Sequence, residues 1–216
     1  GVVEDASLTV ALADAASADV GPKASNLARL LAAGLPVPPG FALRDAAWRA
    51  RRDPTEPVAD AVARAVARAA STLGATRFAV RSSISLEDSG AGAAAGVFVS
   101  WVDVPAAGLV DAIAAVWDSA GAPLARAYAL ARGRGAADLE VGVIIQAFVP
   151  GRRATVYTRP PGEPASAEAV IEWHDDGVLA DRRRRDDADL GGDANARALA
   201  LALAAERAIG ASDGAD

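Results

Sequence analysis

The 216 residues read as an α+β protein. Three features of the pattern lead there. Some segments space their apolar residues as one face of a helix does, while others carry apolar runs of strand length. Gly-Pro and Pro-Gly pairs separate these segments as turns. No fixed-period repeat and no regular strand–helix–strand alternation is visible. Sheets with hairpins flanked by helices therefore fit better than a doubly wound parallel sheet.

The elements follow in order. Leu8-Thr9-Val10-Ala11-Leu12 reads as a short strand. Gly21-Pro22-Lys23 turns into a helix over 24–33, because proline suits a first helical position. Leu27, Leu30 and Leu31 share one face of that helix, and Gly34 ends it. The prolines of 35–40 force an extended path, after which Phe41-Ala42-Leu43 resumes as a strand. A second helix spans 60–73, with Val62, Val66 and Leu73 inward and Arg64 and Arg68 outward. A strand over 77–82 runs into a Ser/Gly/Ala-rich loop over 82–96, and another strand covers 97–104. One or two helices lie within 107–131, carrying Leu109, Ile113, Val116, Trp117 and Tyr128. The apolar run 140–149 is a strand, and the Pro150-Gly151 turn makes 154–158 its hairpin partner. A strand over 168–173, a solvated loop at Arg182-Arg183-Arg184-Arg185 and an alanine-rich helix over 194–209 complete the pattern.

Composition narrows the function. The formal net charge of −6 argues against general nucleic-acid binding, which needs a basic face. It permits binding of one nucleotide, since a few arginines and backbone N–H groups hold phosphates on an acidic protein. No cysteine is present, which excludes disulfides, thiolate catalysis and zinc–thiolate sites. His174 is the single histidine, so a multi-histidine metal site within the chain is excluded too. No apolar run reaches the roughly 18 residues that span a bilayer, and a cytoplasmic protein without membrane partners is expected. Lys23 is the one lysine among 22 basic residues, which singles it out.

Three segments combine charge with turn residues. Lys23 stands just inside a helix N-terminus, where an ammonium adds to N–H groups that favour phosphate; an exposed first-turn lysine is the plainer reading. Arg81 ends a strand and is followed by Ser82, Ser83, Glu87 and Asp88. Its guanidinium either grips a polyphosphate bidentately or pairs with Glu87 or Asp88. Gln146 interrupts an apolar strand and needs a partner, supplied by a backbone group or by a ligand. His174, beside Glu172 and Asp175, reads as a solvated side chain.

Taken together, these segments carry a resemblance. Val20-Gly21-Pro22-Lys23-Ala24-Ser25-Asn26-Leu27, followed by Ala33-Gly34-Leu35-Pro36-Val37-Pro38-Pro39-Gly40-Phe41, resembles the opening of the pyruvate phosphate dikinase and phosphoenolpyruvate synthase family. Ala79-Val80-Arg81-Ser82-Ser83 with Glu87-Asp88 and Ala95-Gly96 is similar to that family's Val-Arg-Ser-Ser loop. The strand bearing Gln146, and Val156-Tyr157-Thr158-Arg159, match its Gln strand and Phe-Thr-Arg segment. The resemblance covers residues 8–160 in order.

The resemblance implies a two-lobed, ATP-grasp-like nucleotide-binding domain over 1–216, with lobes of about 1–105 and 106–216 and sheets flanked by helices. It implies ATP and Mg²⁺ as ligands, and transfer of a phosphoryl group towards a phosphohistidine domain and an acceptor domain outside this chain. By position, Lys23 and Arg81 would contact the phosphates as the catalytic cations. Ser82 and Ser83 would sit in the phosphate loop, Gln146 and Thr158 near the nucleotide, and Glu172 would be the acid after the next strand. Pro22 replaces a family glycine, and the late Asp-Ile-Glu-Trp and Gln-x-Arg-Pro stretch does not occur. The metal ligands are thus unassigned, the fold is expected to be incomplete at its C-terminus, and this fragment alone is expected to be inactive. The alternative is a degenerate or shortened relative that binds a nucleotide or a protein without catalysis.

Overall fold

The computed structural model describes residues 8–17, 19–51, 58–85, 99–122, 130, 133, 139–174 and 178–210. It is α+β, built of antiparallel sheets with helices against them. Two compact units emerge: Gly1–Leu31 with Val37–Val149, and Ala32–Pro36 with Pro150–Asp216. The main division falls at 149–150. The reason is that the apolar run after 140 inserts as a strand into the middle of the first unit's sheet.

That sheet has five strands: β1 (Thr9–Ala11), β2 (Gly40–Leu43), β3 (Arg77–Ile84), β4 (Ser100–Pro105) and β5 (Val141–Ala147), in the order β1-β2-β5-β3-β4. All neighbours are antiparallel. Helices α1 (Pro22–Ala32), α2 (Asp45–Arg49), α3 (Asp60–Thr72) and α4 (Leu109–Gly121) belong with it. The sheet is covered on both faces. Val143 and Ile145 of β5 join Phe78 and Val80 of β3 in one core, against Val62 and Val66 of α3 and Ile113 and Val116 of α4. Ile144 points the other way and packs with Ala42, and with Ala24 and Ala28 of α1. A strand buried on both sides needs no polar alternation, which explains the apolar run from Val141 to Ile145.

Small side chains on α1 have a packing reason. Ala24 and Ala28 let the helix lie close to the sheet, and Gly142 allows the chain at Val20 to approach. A Cβ at Gly142 would stand 2.1 Å from the Val20 carbonyl oxygen. At the far edge, β4 is bulged: the register shifts between Phe78 and Val80, and Asp103 takes a φ of 57°. The Arg77 Nε donates to Asp103 Oδ1 at 2.7 Å and braces the bulge.

The second unit holds β6 (Ala154–Tyr157), β7 (Glu168–His174) and β8 (Val178–Arg184) in that order, with helix α5 (Ala194–Gly210). Leu199 of α5 packs on Ala169 and Ile171 of β7.

Several expectations are corrected. The segment after Pro150 is a strand, but it pairs with β7 and not with β5. Both edges of β5 are already taken, by β2 and β3, so no third strand can pair there. The arginine run is not a loop: Arg182 to Arg184 lie in β8. Carboxylates make this possible, with Arg182 reaching Glu163 at 2.8 Å and Arg183 reaching Asp181 at 3.0 Å. Strand β3 runs on to Ile84, so Ser82 and Ser83 are in the strand and not in the loop after it. The 3-10 segment Leu12–Ser17 and the short α2 were not read from the sequence. Glu87, Asp88 and Tyr128 lie outside the described residues.

Candidate functional site

The first unit holds five of the predicted site residues: Lys23 on the first turn of α1, Arg81, Ser82 and Ser83 on β3, and Gln146 on β5. Helix α1 starts at a tight turn, because Gly21 adopts a φ of +78° and passes so near β3 that a Cβ would lie 2.1 Å from the Ser83 carbonyl oxygen. Two N–H groups of this turn are satisfied by side chains. Gly21 N–H donates to Glu140 Oε1 at 2.7 Å, and Ala24 N–H donates to Ser83 Oγ at 3.0 Å. A helix start normally leaves such N–H groups for water, caps or ligands. Here the carboxylate of Glu140, just before β5, and the hydroxyl of Ser83 on β3 accept them.

Lys23 is half-buried between these ties, and its Nζ donates to the Ser82 carbonyl oxygen at 3.0 Å. Arg81 is the residue before Ser82 on β3, and its side chain is exposed. Arg81 lies opposite Ile144 of β5, and Ser83 lies opposite Gly142. Paired residues share a face, and Ile144 packs on the α1 side, so Arg81 and Ser83 rise from the face that carries α1. The structure therefore places the Lys23 ammonium against the backbone of the residue that follows Arg81, on the face that carries α1.

The polar side chains around them are mostly engaged. Ser82 is 1% exposed and Ser83 is fully buried. Gln146 is buried too, opposite Ala79 and one step diagonally from Arg81, and its Nε2 donates to the Pro38 carbonyl at 3.1 Å. Of the two partners the sequence allowed for Gln146, the backbone one is present.

Thr158 and Glu172 belong to the second unit. Thr158 follows β6 and is half-buried, and Glu172 sits on β7 opposite Thr155 and Ala180. His174 is not isolated, since its Nε2 is 2.8 Å from Thr155 Oγ1. This unit has a cavity of about 380 Å³ lined by Arg152, Trp173, Asp181 and Asn195 among others, and neither Thr158 nor Glu172 reaches it. Arg152 lies over the Trp173 ring at 4.2 Å, and the indole N–H donates to Asn195 Oδ1 at 2.6 Å.

Two buried-side contributors escaped the sequence reading. By sequence, Glu140 reads only as the start of a strand. Asp45 was not singled out, yet it is 7% exposed and its Oδ1 accepts Val141 N–H at 2.9 Å. Asp45 also pairs with Arg49, which reaches on to the Leu139 carbonyl at 2.9 Å. An acid two residues after the apolar strand β2, at the start of a helix, is the available signal. Among the described residues no three His, Asp or Glu side chains gather in a way that could hold a metal ion. No helix among them is long and apolar enough to cross a membrane.

A family model described as the AMP/ATP-binding domain of pyruvate phosphate dikinase matches residues 53–188, more than half of the chain. The matched span includes Arg81, Ser82, Ser83, Gln146, Thr158 and Glu172, and it begins after Lys23. No curated protein matches the chain.

Proposed function

Because the chain belongs to the family of pyruvate phosphate dikinase AMP/ATP-binding domains, we propose that it binds ATP through Lys23 and Arg81. In this reading the phosphoryl group passes to a phosphohistidine domain outside this chain, and from there to an acceptor. The observation that carries the reading is the approach of Lys23 Nζ to the carbonyl beside Arg81.

Phosphoryl transfer needs little covalent help from a protein. It needs the phosphates positioned and their charge offset. An ammonium supplies a compact point charge, and a guanidinium supplies a planar fork for two oxygens. Arg81 is exposed for such a contact. Lys23 would exchange, or share, its contact with the Ser82 carbonyl for a phosphate oxygen, and a carbonyl is the weaker partner for an ammonium. Mg²⁺ would be held mainly by the phosphates and water with one or two carboxylates, which needs no three-ligand cluster of protein side chains. Thr158 and Glu172 are proposed as nucleotide contacts by position alone.

A second reading has its own support: a module that holds a nucleotide or a protein without catalysis. Ser83 and Gln146 already have protein partners, and so do two N–H groups of the α1 turn. Titration calorimetry with Mg·ATP decides. Saturable binding is expected, with Lys23→Ala and Arg81→Ala each weakening it at least about ten-fold and leaving the melting midpoint unchanged. Absence of binding and of any thermal shift at millimolar Mg·ATP would sink the ATP reading, since a ligand of the folded state must raise the midpoint. Binding without transfer to an added phosphohistidine domain would favour the module.

A further inference from the structure

The start of α1 is held by a carboxylate to which the proposed chemistry gives no role. Glu140 Oε1 accepts Gly21 N–H at 2.7 Å, across 119 residues of sequence. Glu140 is itself fixed to the end of β3: Ser85 N–H donates to its carbonyl at 3.1 Å, and its own N–H donates to Ser85 Oγ at 3.2 Å. Three residues after Gly21, the Ser83 hydroxyl takes Ala24 N–H at 3.0 Å. Lys23 lies between these two ties, with Nζ 3.0 Å from the Ser82 carbonyl.

We infer that Glu140 is a positioning residue, which clamps the α1 turn so that Lys23 is delivered beside Arg81. The inference rests on the reading of Lys23 as a phosphate contact. The clamp has a physical logic. A four-carbon side chain with a mobile ammonium loses rotamer entropy on binding, and a fixed backbone origin limits that cost. The positive end of the helix favours a carboxylate at this position, so the clamp is compatible with the helix it holds. It also gives Gly21 N–H a protein acceptor, as Ser83 does for Ala24 N–H.

Geometry and charge make opposite demands on substitution. As a mere anion near a triphosphate, Glu140 would weaken binding, and Glu140→Gln would tighten it. As a clamp it needs an acceptor oxygen at the present reach. Glu140→Gln keeps that oxygen, whereas Glu140→Asp keeps the charge and withdraws the oxygen by one methylene. Titration calorimetry with ATP is run on the full chain, on both variants, on Lys23→Ala and on the Lys23→Ala/Glu140→Asp double variant. Glu140→Gln is expected within about two-fold of wild type and Glu140→Asp roughly ten-fold weaker. The double variant is expected to bind no more weakly than Lys23→Ala alone, because the clamp acts through that lysine. The inference is overturned if Glu140→Asp binds like wild type, if its loss adds in full to that of Lys23→Ala, or if Glu140→Gln binds more tightly. Melting curves check that Glu140→Asp folds; if it does not, Ser83→Ala, which removes the other tie, carries the same comparison with Lys23→Ala. Failure of the wild-type chain to bind ATP is a separate result, which overturns the reading of Lys23 and the inference with it.

Discussion

Gly21 couples the fold to the site at the level of one residue. Its φ of +78° and the 2.1 Å that would separate a Cβ from the Ser83 carbonyl oxygen are two independent obstacles to a side chain. Gly34 has a similar φ of +75° but nothing within 4 Å of its would-be Cβ. Gly34→Ala should therefore cost only the left-handed backbone term, about 1–2 kcal/mol. Gly21→Ala should add about 1–3 kcal/mol for the clash with backbone that cannot swing away. Urea unfolding of both variants checks this, and equal losses would show that the close approach to β3 is not real. The sequence marked Gly21 as a turn residue, and Lys23 stood out as a lone lysine. Glu140 was not legible, because an acid at the head of a strand looks like any solvated acid until its partner, 119 residues away, is known. Gln146 was legible as a side chain in need of a partner; only the fold shows that Pro38 supplies one.

Among the elements, helices α1 and α3 and strands β2, β5 and β7 were readable, since periodicity and length set them locally. Pairing was not. The strand after Pro150 looked like a hairpin partner of β5 because nothing in its own pattern says that β5 is already flanked. The arginine run of β8 looked like a solvated loop because its carboxylate partners are scattered, from Glu163 to Asp193. Helix α5 illustrates what such charges do. Asp193 Oδ1 caps the helix by accepting Ala196 N–H at 2.8 Å, and Arg183 lies nearby at 3.1 Å. The cap bond and then the arginine hold the Asp193 carboxyl below its ordinary value of 3.8. A lowered folded-state value means that the contribution is present above the ordinary value and is lost as pH falls through the lowered one. Amide exchange in the first turn of α5 should thus quicken below about pH 3.8 relative to β5, after correction for the intrinsic rate. Asp193→Asn, which keeps an acceptor without a titrating group, should flatten that dependence, and an unchanged pH profile in this variant would remove Asp193 as its cause.

For the whole molecule, the two units differ in what holds them. The first buries side chains on both faces of a five-stranded sheet, including Trp117, Phe78 and Ile145. The second rests on a smaller cluster of Ala169, Ile171 and Leu199 under a three-stranded sheet. Less apolar burial means easier local opening, so amides of β7 and α5 should exchange faster than those of β3 and β5 without ligand. Nucleotide then discriminates between the extents of the proposed site. The family match spans parts of both units, from 53 to 188. If Thr158 or Glu172 contacts ATP, saturating ATP should slow exchange in β6 or β7, and if Lys23 and Arg81 do, at the start of α1 and in β3, because a ligand suppresses every opening that breaks its contacts. Protection confined to α1 and β3 would restrict the site to the first unit and remove Thr158 and Glu172 from it. Protection of β6 and β7 that survives Lys23→Ala and Arg81→Ala unchanged would place the nucleotide elsewhere than on those two cations.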